Sequence, residues 1–97
     1  MTTAVRVRVP AGLRPFTEGR AVVDVELTDP APNLACVLDT LAGTCPGVVD
    51  RVLDERGAVR RHVNVFVGDE EVRGLGGLAA PVADGAEISI LPAVSGG

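Results

Sequence analysis

The chain has 97 residues, 46% of them hydrophobic and 23% charged, which suits one compact domain with one core and excludes a two-domain enzyme. Nine arginines and no lysine stand against thirteen acidic residues, a net charge of −4, and only two residues are aromatic. Both features argue against nucleic-acid binding. No apolar run approaches the ~20 residues that a membrane span needs. We therefore expect a soluble, cytoplasmic protein with no nucleic-acid or membrane partner.

Two strands are predicted at the start of the chain. Val5, Val7 and Val9 alternate with arginines, which is the period-two pattern of a strand with one buried face. After a loop from Pro10 to about Gly19, residues 20–28 repeat this pattern. We expect the second strand to pair with the first as an antiparallel hairpin.

A principal helix is predicted from Leu34 to Ala42. Asn33 is suited to cap its start, and Gly43 is a plausible stop. A shorter helical segment is expected from Pro46 to Gly57. The apolar residues of the principal helix recur at the spacing of one helical face, at Leu34, Val37, Leu38 and Leu41.

The second half of the chain returns to strands. Val63 to Val67 alternate as a third strand, a short extended piece follows around residues 71–73, and residues 74–81 form an irregular connection. A last strand is expected at Glu87 to Leu91. This order of elements predicts an α+β domain over residues 1–92, with one sheet covered on one side by a helix.

Constellations for catalysis or metal binding are almost absent. The one histidine, His62, is expected to be an ordinary surface residue. Cys36 and Cys45 lack zinc-site spacing with it. We expect Cys36 to be buried and structural, and Cys45, in a probable loop, to be an exposed thiol. The glycine-rich segment from Gly74 has no helix pattern after it and no Lys-Ser/Thr end, so it does not predict a phosphate loop. We expect no bound metal and no catalytic residue.

The end of the chain is the remaining candidate. Pro92 lacks a backbone donor and stops the sheet, and residues 93–97 have no charge, no large side chain and no periodicity. Glycines at the tip leave the terminal carboxylate unshielded and the backbone adaptable. Such a tail suits insertion into the active site of another protein, and an ordinary frayed terminus is the alternative.

The C-terminal third of the chain has a distinctive set of residues, namely Val63-Asn64-Val65-Phe66-Val67, Leu78, Pro81, Asp84-Gly85, Glu87-Ile88-Ser89-Ile90-Leu91-Pro92 and Gly96-Gly97. In these residues the chain resembles the MoaD/ThiS family of sulfur carriers, and within it the CysO-type carriers of actinobacterial cysteine biosynthesis. The resemblance implies a ubiquitin-like β-grasp fold, with a mixed sheet covered on one face by a helix and a flexible Gly-Gly tail over residues 93–97.

This resemblance implies a carrier and not an enzyme. The carboxylate of Gly97 would be adenylated and then converted to a thiocarboxylate that donates sulfur in biosynthesis. Gly96 would provide clearance behind it. The chain would bind no cofactor of its own, because the ATP is used by the partner. The residues that would thread the partner's channel are Pro92, Ala93, Val94 and Ser95.

The implied partners are an adenylating/sulfurtransferase enzyme of the ubiquitin-activating kind, a sulfur-accepting synthase that is cysteine-synthase-like, and a metal-dependent hydrolase. The cysteine pathway is favoured. The alternatives are the small subunit of molybdopterin synthase, a thiamine or secondary-metabolite sulfur carrier, and a ubiquitin-like protein modifier.

Two features bear on how a partner would dock. Phe66 has the opposite parity to Val63, Val65 and Val67, so we expect it on the uncovered face of the sheet as an apolar contact. The arrangement with Phe66 in the core and the valines outside stays open. The acidic balance would favour a partner with a basic docking surface, but a net charge of −4 is too ordinary to decide the charge of the partner.

Overall fold

The structure, a computed structural model, describes residues 2–92. In this part of the chain, strands form one sheet and two α-helices pack on one of its faces. Three short 3-10 segments lie at Ala11–Thr17, Val72–Leu75 and Gly77–Ala79. None of the described helices combines the length and hydropathy that crossing a membrane requires. The strands are β1 (Thr3–Arg8), β2 (Val22–Leu27), β3 (Val63–Val67), β4 (Glu70–Glu71) and β5 (Glu87–Pro92), and the helices are α1 (Leu34–Thr44) and α2 (Pro46–Val52).

The sheet has the strand order β2-β1-β5-β3-β4. The two central strands, β1 and β5, are parallel, with Val7 opposite Ile88, and the other neighbouring strands are antiparallel. The expected hairpin of β1 and β2 is confirmed, with Val5 opposite Val25. The predicted α+β arrangement of one mixed sheet with helices on one face is therefore confirmed.

The core lies between the sheet and the helices, as the alternation of apolar residues predicts. In β1 and β2, alternate residues from Val5 and from Val23 onward are buried on that face, and α1 turns its predicted apolar stripe toward it. Burying each such side chain contributes about 1.5–3 kcal/mol relative to leaving it in water. The largest fully buried side chains are Leu27, Leu34, Leu38, Leu41, Ile88 and Ile90, with Val5, Val7, Val37, Val48, Val52 and Val65.

The connection between β1 and β2 is more ordered than the expected loop. It forms the 3-10 segment Ala11–Thr17, whose last residue is buried. The Thr17 hydroxyl lies 3.1 Å from the carbonyl oxygen of Arg14 and 2.7 Å from that of Arg20, and it holds the two ends of the turn together. A hydroxyl that serves main-chain carbonyls several residues away gives no periodic signal in the sequence.

The helix boundaries also differ from the expectation. Gly43 does not stop α1, which continues to Thr44 because the backbone N–H of Cys45 still donates to the carbonyl of Leu41. Asn33 caps the start as predicted, and its side-chain oxygen accepts from the N–H of Cys36 at 3.0 Å. The second helix ends at Val52 rather than near Gly57.

The two cysteines are placed opposite to the expectation. Cys36 is half-buried, and Cys45 is buried with 8% of its surface exposed. Cys36 follows Leu34 by two residues, which places it about 200° around the helix from Leu34 and off the buried stripe. Cys45 follows Leu41 by four residues and lies in line with that stripe because α1 runs two residues further than predicted. The predictions of a buried Cys36 and an exposed Cys45 are therefore wrong.

Candidate functional site

The last described backbone pair joins the end of β5 to the start of β3. β5 runs through Leu91 to Pro92, one residue beyond the strand expected from the pattern, and Pro92 lies opposite Val63. The end of β5 therefore lies beside the start of β3, which directly follows Arg61 and His62 in the chain. The predicted tail residues Ala93, Val94, Ser95, Gly96 and Gly97 lie outside the described residues, and their role stays a prediction.

The uncovered face of the sheet carries apolar side chains close to this point. Val63 and Val65 are buried on the core face, so Phe66 lies on the opposite face, where it is half-buried. The predicted face of Phe66 is confirmed and the alternative with Phe66 in the core is wrong. Leu91 shares this face and is 47% exposed, next to the last strand residue. An exposed leucine beside a half-buried phenylalanine offers an apolar contact for a protein partner.

Ion pairs border this apolar area on the β1 side. The Nε of Arg8 lies 2.7 Å from Oε1 of Glu87, and that of Arg6 lies 3.8 Å from Oδ1 of Asp24. The four side chains are 43–82% exposed, so each pair contributes about 0–1 kcal/mol to stability. The pairs place charge along one side of the apolar area and contribute little to holding the fold.

A second surface feature, the basic cleft, lies beside the start of β3. It has a volume of about 510 Å³ and is lined by Asp54, Glu55, Val59 and four arginines. These arginines, which define the basic cleft, are Arg56, Arg60, Arg61 and Arg73.

Arg73 holds the wall of the basic cleft in place. Its Nη2 donates to the carbonyl oxygens of Arg60, at 2.8 Å, and of Val63, at 2.9 Å. Its Nη1 donates to Oδ1 of Asn64 at 3.1 Å and lies 3.5 Å from Oε2 of Glu71. One guanidinium therefore connects the 3-10 segment after β4 to the chain that enters β3, which its five-donor fork makes possible.

A tight turn closes the other side of the basic cleft. Oδ1 of Asp54 accepts from the backbone N–H of Arg56 at 2.8 Å and from that of Ala58 at 3.1 Å. The hydrogen bond from Ala58, then the one from Arg56, stabilise the carboxylate and lower the pKa of Asp54 from its ordinary value of 3.8.

A small apolar pocket lies at the same end of the sheet. It has a volume of about 210 Å³, and its lining includes Leu13, Arg51, His62 and Ile90. His62 is exposed, which confirms the predicted surface histidine. Within residues 2–92 no group of three or more His, Cys, Asp or Glu side chains has the geometry of a metal site.

Two parts of this region had only a faint signal in the sequence. The register between β5 and β3 places Leu91 on the same face of the sheet as Phe66. Whether Leu91 is exposed there depends on the order of the strands in the sheet, which no local pattern in the sequence gives. The doublet Arg60-Arg61 is visible in the chain, whereas Arg73 joins it only through folding. The structure differs from the expected extended piece at residues 71–73 and irregular connection at residues 74–81, because 3-10 turns form at Val72–Leu75 and Gly77–Ala79.

Comparisons with known proteins identify relatives that match nearly the whole chain. The ThiS family model matches residues 7–97. The sulfur carrier protein CysO of Mycobacterium tuberculosis is 40% identical over 95 residues, which are 96% of this chain and 98% of the relative. The crystal structure of that CysO has a TM-score of 0.80 and 39% identity, and covers 93% of this chain and 99% of its own.

Two further solved structures are similar over almost the whole chain. One is the Amycolatopsis orientalis BexX/CysO complex, with a TM-score of 0.82 and 38% identity, covering 96% of this chain and 99% of the matched one. The other is small archaeal modifier protein 1 of Haloferax volcanii, with a TM-score of 0.79 and 26% identity, covering 95% and 99%. These matches confirm the ubiquitin-like β-grasp fold that the sequence predicts.

Proposed function

Because the chain belongs to the ThiS family, we propose that it is a sulfur carrier whose C-terminal Gly97 carboxylate is converted to a thiocarboxylate. The observation that carries this proposal is the match itself: the family model extends through Gly97, and the similarity to CysO spans nearly the whole of both chains. The similarity therefore includes the terminus as well as the fold.

The proposed chemistry starts from an unreactive group. A terminal carboxyl group has an ordinary pKa of about 3.3–3.7, so near neutral pH it is an anion and a poor acyl donor. In the first step a carboxylate oxygen of Gly97 attacks the α-phosphorus of ATP, and pyrophosphate leaves. In the second step hydrosulfide attacks the acyl carbon, and the carbon–oxygen bond to AMP breaks with the electron pair on AMP. The thioacid then loses its proton and becomes the thiocarboxylate.

The carrier supplies none of the catalytic groups in this scheme. An adenylating/sulfurtransferase enzyme would bind ATP and deliver the sulfur, and a cysteine-synthase-like protein would accept the sulfur. A metal-dependent hydrolase would release the product from the carrier. We favour the cysteine pathway on the similarity to CysO. The scarcity of nucleophiles and bases in this chain is consistent with a carrier role.

The structure suggests how such partners would hold the carrier. Phe66 and Leu91 form an apolar contact area on the uncovered face, and Leu91 directly precedes Pro92. A partner that receives Gly97 in its active site would cover this area, because Leu91 is only six residues before Gly97 in the chain. The pairing of Pro92 with Val63 favours Ala93 as the first residue that enters the partner's channel.

Incubation with ATP, sulfide and the adenylating enzyme of the same organism tests the proposal. Intact-mass measurement is expected to show the exchange of one oxygen for sulfur in the wild-type protein and none without ATP. Removal of Gly97 is expected to abolish the exchange with an unchanged melting temperature. Thiolation of the shortened protein would show that Gly97 is not the reactive residue.

A protein modifier is the second candidate, favoured by the likeness to small archaeal modifier protein 1. The chain contains no lysine, so lysine-linked chains between its copies cannot form, but attachment of Gly97 to other proteins remains compatible with the sequence. A tagged protein would then give higher-mass bands on a denaturing blot, and these would disappear when Gly97 is removed. A sulfur carrier alone gives no such bands.

A further inference from the structure

The charges of the folded protein are not distributed as its net charge suggests. We call the end of the sheet where β1 and β5 finish, and where β2 and β3 begin, the tail end. It includes Pro92 opposite Val63 and Arg8 opposite Val22. The opposite end of the sheet, where β1 begins, is the far end, with Thr3 opposite Leu27.

Eight of the nine arginines lie at the tail end. Arg8 is at the end of β1, and Arg14 donates from Nε to the carbonyl of Val9. Arg20 lies two residues before β2, the strand that pairs with Arg8, and Arg51 lines the small apolar pocket with His62 and Val63. The other four are the arginines of the basic cleft, which lies beside the start of β3. Arg6, near the middle of the sheet, is the ninth.

The acidic residues are not concentrated at the tail end. Apart from Glu71 and Glu87, which pair with arginines, four lie there, namely Glu18, Asp50, Asp54 and Glu55. Among the described residues, the far end has no arginine and has the carboxylates of Glu26, Asp29 and Asp84. Asp69 and Glu70 lie near the middle of the sheet, because Glu70 is opposite Val67, and Val67 is opposite Ile88, the partner of Val7.

The tail end remains net positive when the paired charges are left out of the count. Arg8 pairs with Glu87 and Arg73 with Glu71, so both are partly neutralised. Six arginines and four acids then remain at the tail end, which is still net positive in a chain whose total charge is −4. The sheet therefore has a positive end, which contains Pro92, and a negative end.

We propose that the tail end is a docking surface for an acidic protein surface, located around the entrance of the site in the adenylating partner that receives Gly97. This inference rests on the proposed function for the identity of the partner. It is opposite in sign to the basic docking surface that the total charge alone would favour. An acidic entrance attracts the tail end and repels the far end, so it favours encounters in which the terminus points into the site.

Titration with poly-L-glutamate tests the surface without any enzyme. At ~20 mM ionic strength, where charges act over more than ~10 Å, the amide signals of residues 8–20, 51–61 and 73 are expected to shift. The signals of residues 26–29, 69–70 and 84 are expected to stay in place. Shifts spread over both ends, or no shifts at all, would overturn the proposal.

Two variants with the same net charge test the surface with the adenylating enzyme. Arg20→Gln with Arg61→Gln removes two exposed positive charges at the tail end, on either side of β5. Thr28→Glu with Ala83→Glu adds two negative charges at exposed far-end positions. Both variants lower the net charge by two, so they differ only in where the charge changes.

The tail-end variant is expected to associate with the enzyme about three- to tenfold more slowly at low salt, and the far-end variant less than twofold more slowly. The difference is expected to shrink as salt is added. Equal slowing in both variants would show that only total charge matters and would contradict the proposal. At saturating enzyme both variants are expected to gain sulfur fully. If the wild-type protein gains no sulfur, the proposed function fails. The shifts caused by poly-L-glutamate still show whether the tail end binds an acidic surface.

Discussion

Pro92 lies directly opposite Val63, as the last pair in the ladder between β5 and β3. The carbonyl of Val63 also accepts a hydrogen bond from Arg73, which fixes the wall of the basic cleft. The position of the end of β5 and the position of the arginines therefore depend on the same strand. A partner that takes the terminus would contact both.

The contact between Phe16 and Gly47 predicts opposite effects of alanine at two helical glycines. A Cβ on Gly47 would lie 2.3 Å from Cδ1 and 3.1 Å from Cβ of Phe16. The Phe16 ring is 37% exposed but carries Arg51 over its face at 4.3 Å, so it can yield only in part. We expect Gly47→Ala to lower the free energy of unfolding by about 1–3 kcal/mol, measured by denaturant titration.

Gly43 provides the matched control. It also lies in a helix, and a Cβ there would meet nothing within 4 Å. Gly43→Ala is expected to raise the free energy of unfolding by about 0.5–1 kcal/mol, because alanine loses less backbone entropy in a helix. Similar changes at both glycines would contradict the packing of Phe16 against α2.

The apolar area on the uncovered face predicts a loss of recognition without a loss of fold. Leu91→Asp places a charge on a side chain that is 47% exposed, so its effect on the melting temperature is expected to be small. We expect kcat/KM for adenylation to fall about tenfold, which corresponds to ~1.4 kcal/mol. Ala35→Asp adds the same charge to the exposed side of α1 and is expected to leave kcat/KM unchanged. Equal rates for the two variants would place the contact elsewhere.

Arg73 is expected to matter for the order of the basic cleft. Arg73→Ala removes its hydrogen bonds to the carbonyls of Arg60 and Val63 and to Asn64. Because the site is exposed, we expect a loss of only about 1–2 kcal/mol in the free energy of unfolding. Amide hydrogen exchange of residues 59–63 is expected to accelerate more than that of β1 and β2. Uniform acceleration over the sheet would argue against a local role.

The turn at Asp54 predicts a specific dependence on pH. Hydrogen bonds from Ala58 and Arg56 lower the pKa of Asp54 in the folded protein from 3.8. The unfolded state therefore takes up the proton first, and the stabilisation is present above pH 3.8 and disappears as the pH falls through the folded pKa. Asp54→Asn keeps the oxygen acceptor but does not titrate, so its acid-induced loss of stability is expected to be smaller. Glu55→Gln, at the exposed neighbouring position, is expected to behave like wild type.

Much of the fold could be predicted from local patterns. The alternation around Val5, Val23, Val65 and Ile88 identifies strands with one buried face, and this face is the core in the structure. The family resemblance, which the comparisons confirm, supplied the connection of these strands into a β-grasp. Parallel pairing of β1 with β5 joins segments that are far apart in sequence, so no local pattern contains it.

The predictions that are wrong depended on boundaries and on tertiary contacts. Cys45 is buried because α1 passes through Gly43, and glycine is only weakly unfavourable inside a helix that is held by packing. The total charge does not predict the docking surface that we propose, because it averages the arginines near Pro92 with acidic residues elsewhere in the chain. That separation exists only after the sheet has formed.

Fragmentation of the tryptic peptide that follows Arg73, taken from protein purified from its own cells, tests the reactive terminus most directly. Residues 74–97 contain neither cysteine nor methionine, so any sulfur in this peptide comes from a modification. The sulfur-carrier proposal predicts that the exchange of one oxygen for sulfur is found on Gly97 and on no other residue. Sulfur carried by Cys36 or Cys45 instead, with an ordinary carboxylate on Gly97 in cells that are actively assimilating sulfur, would contradict it.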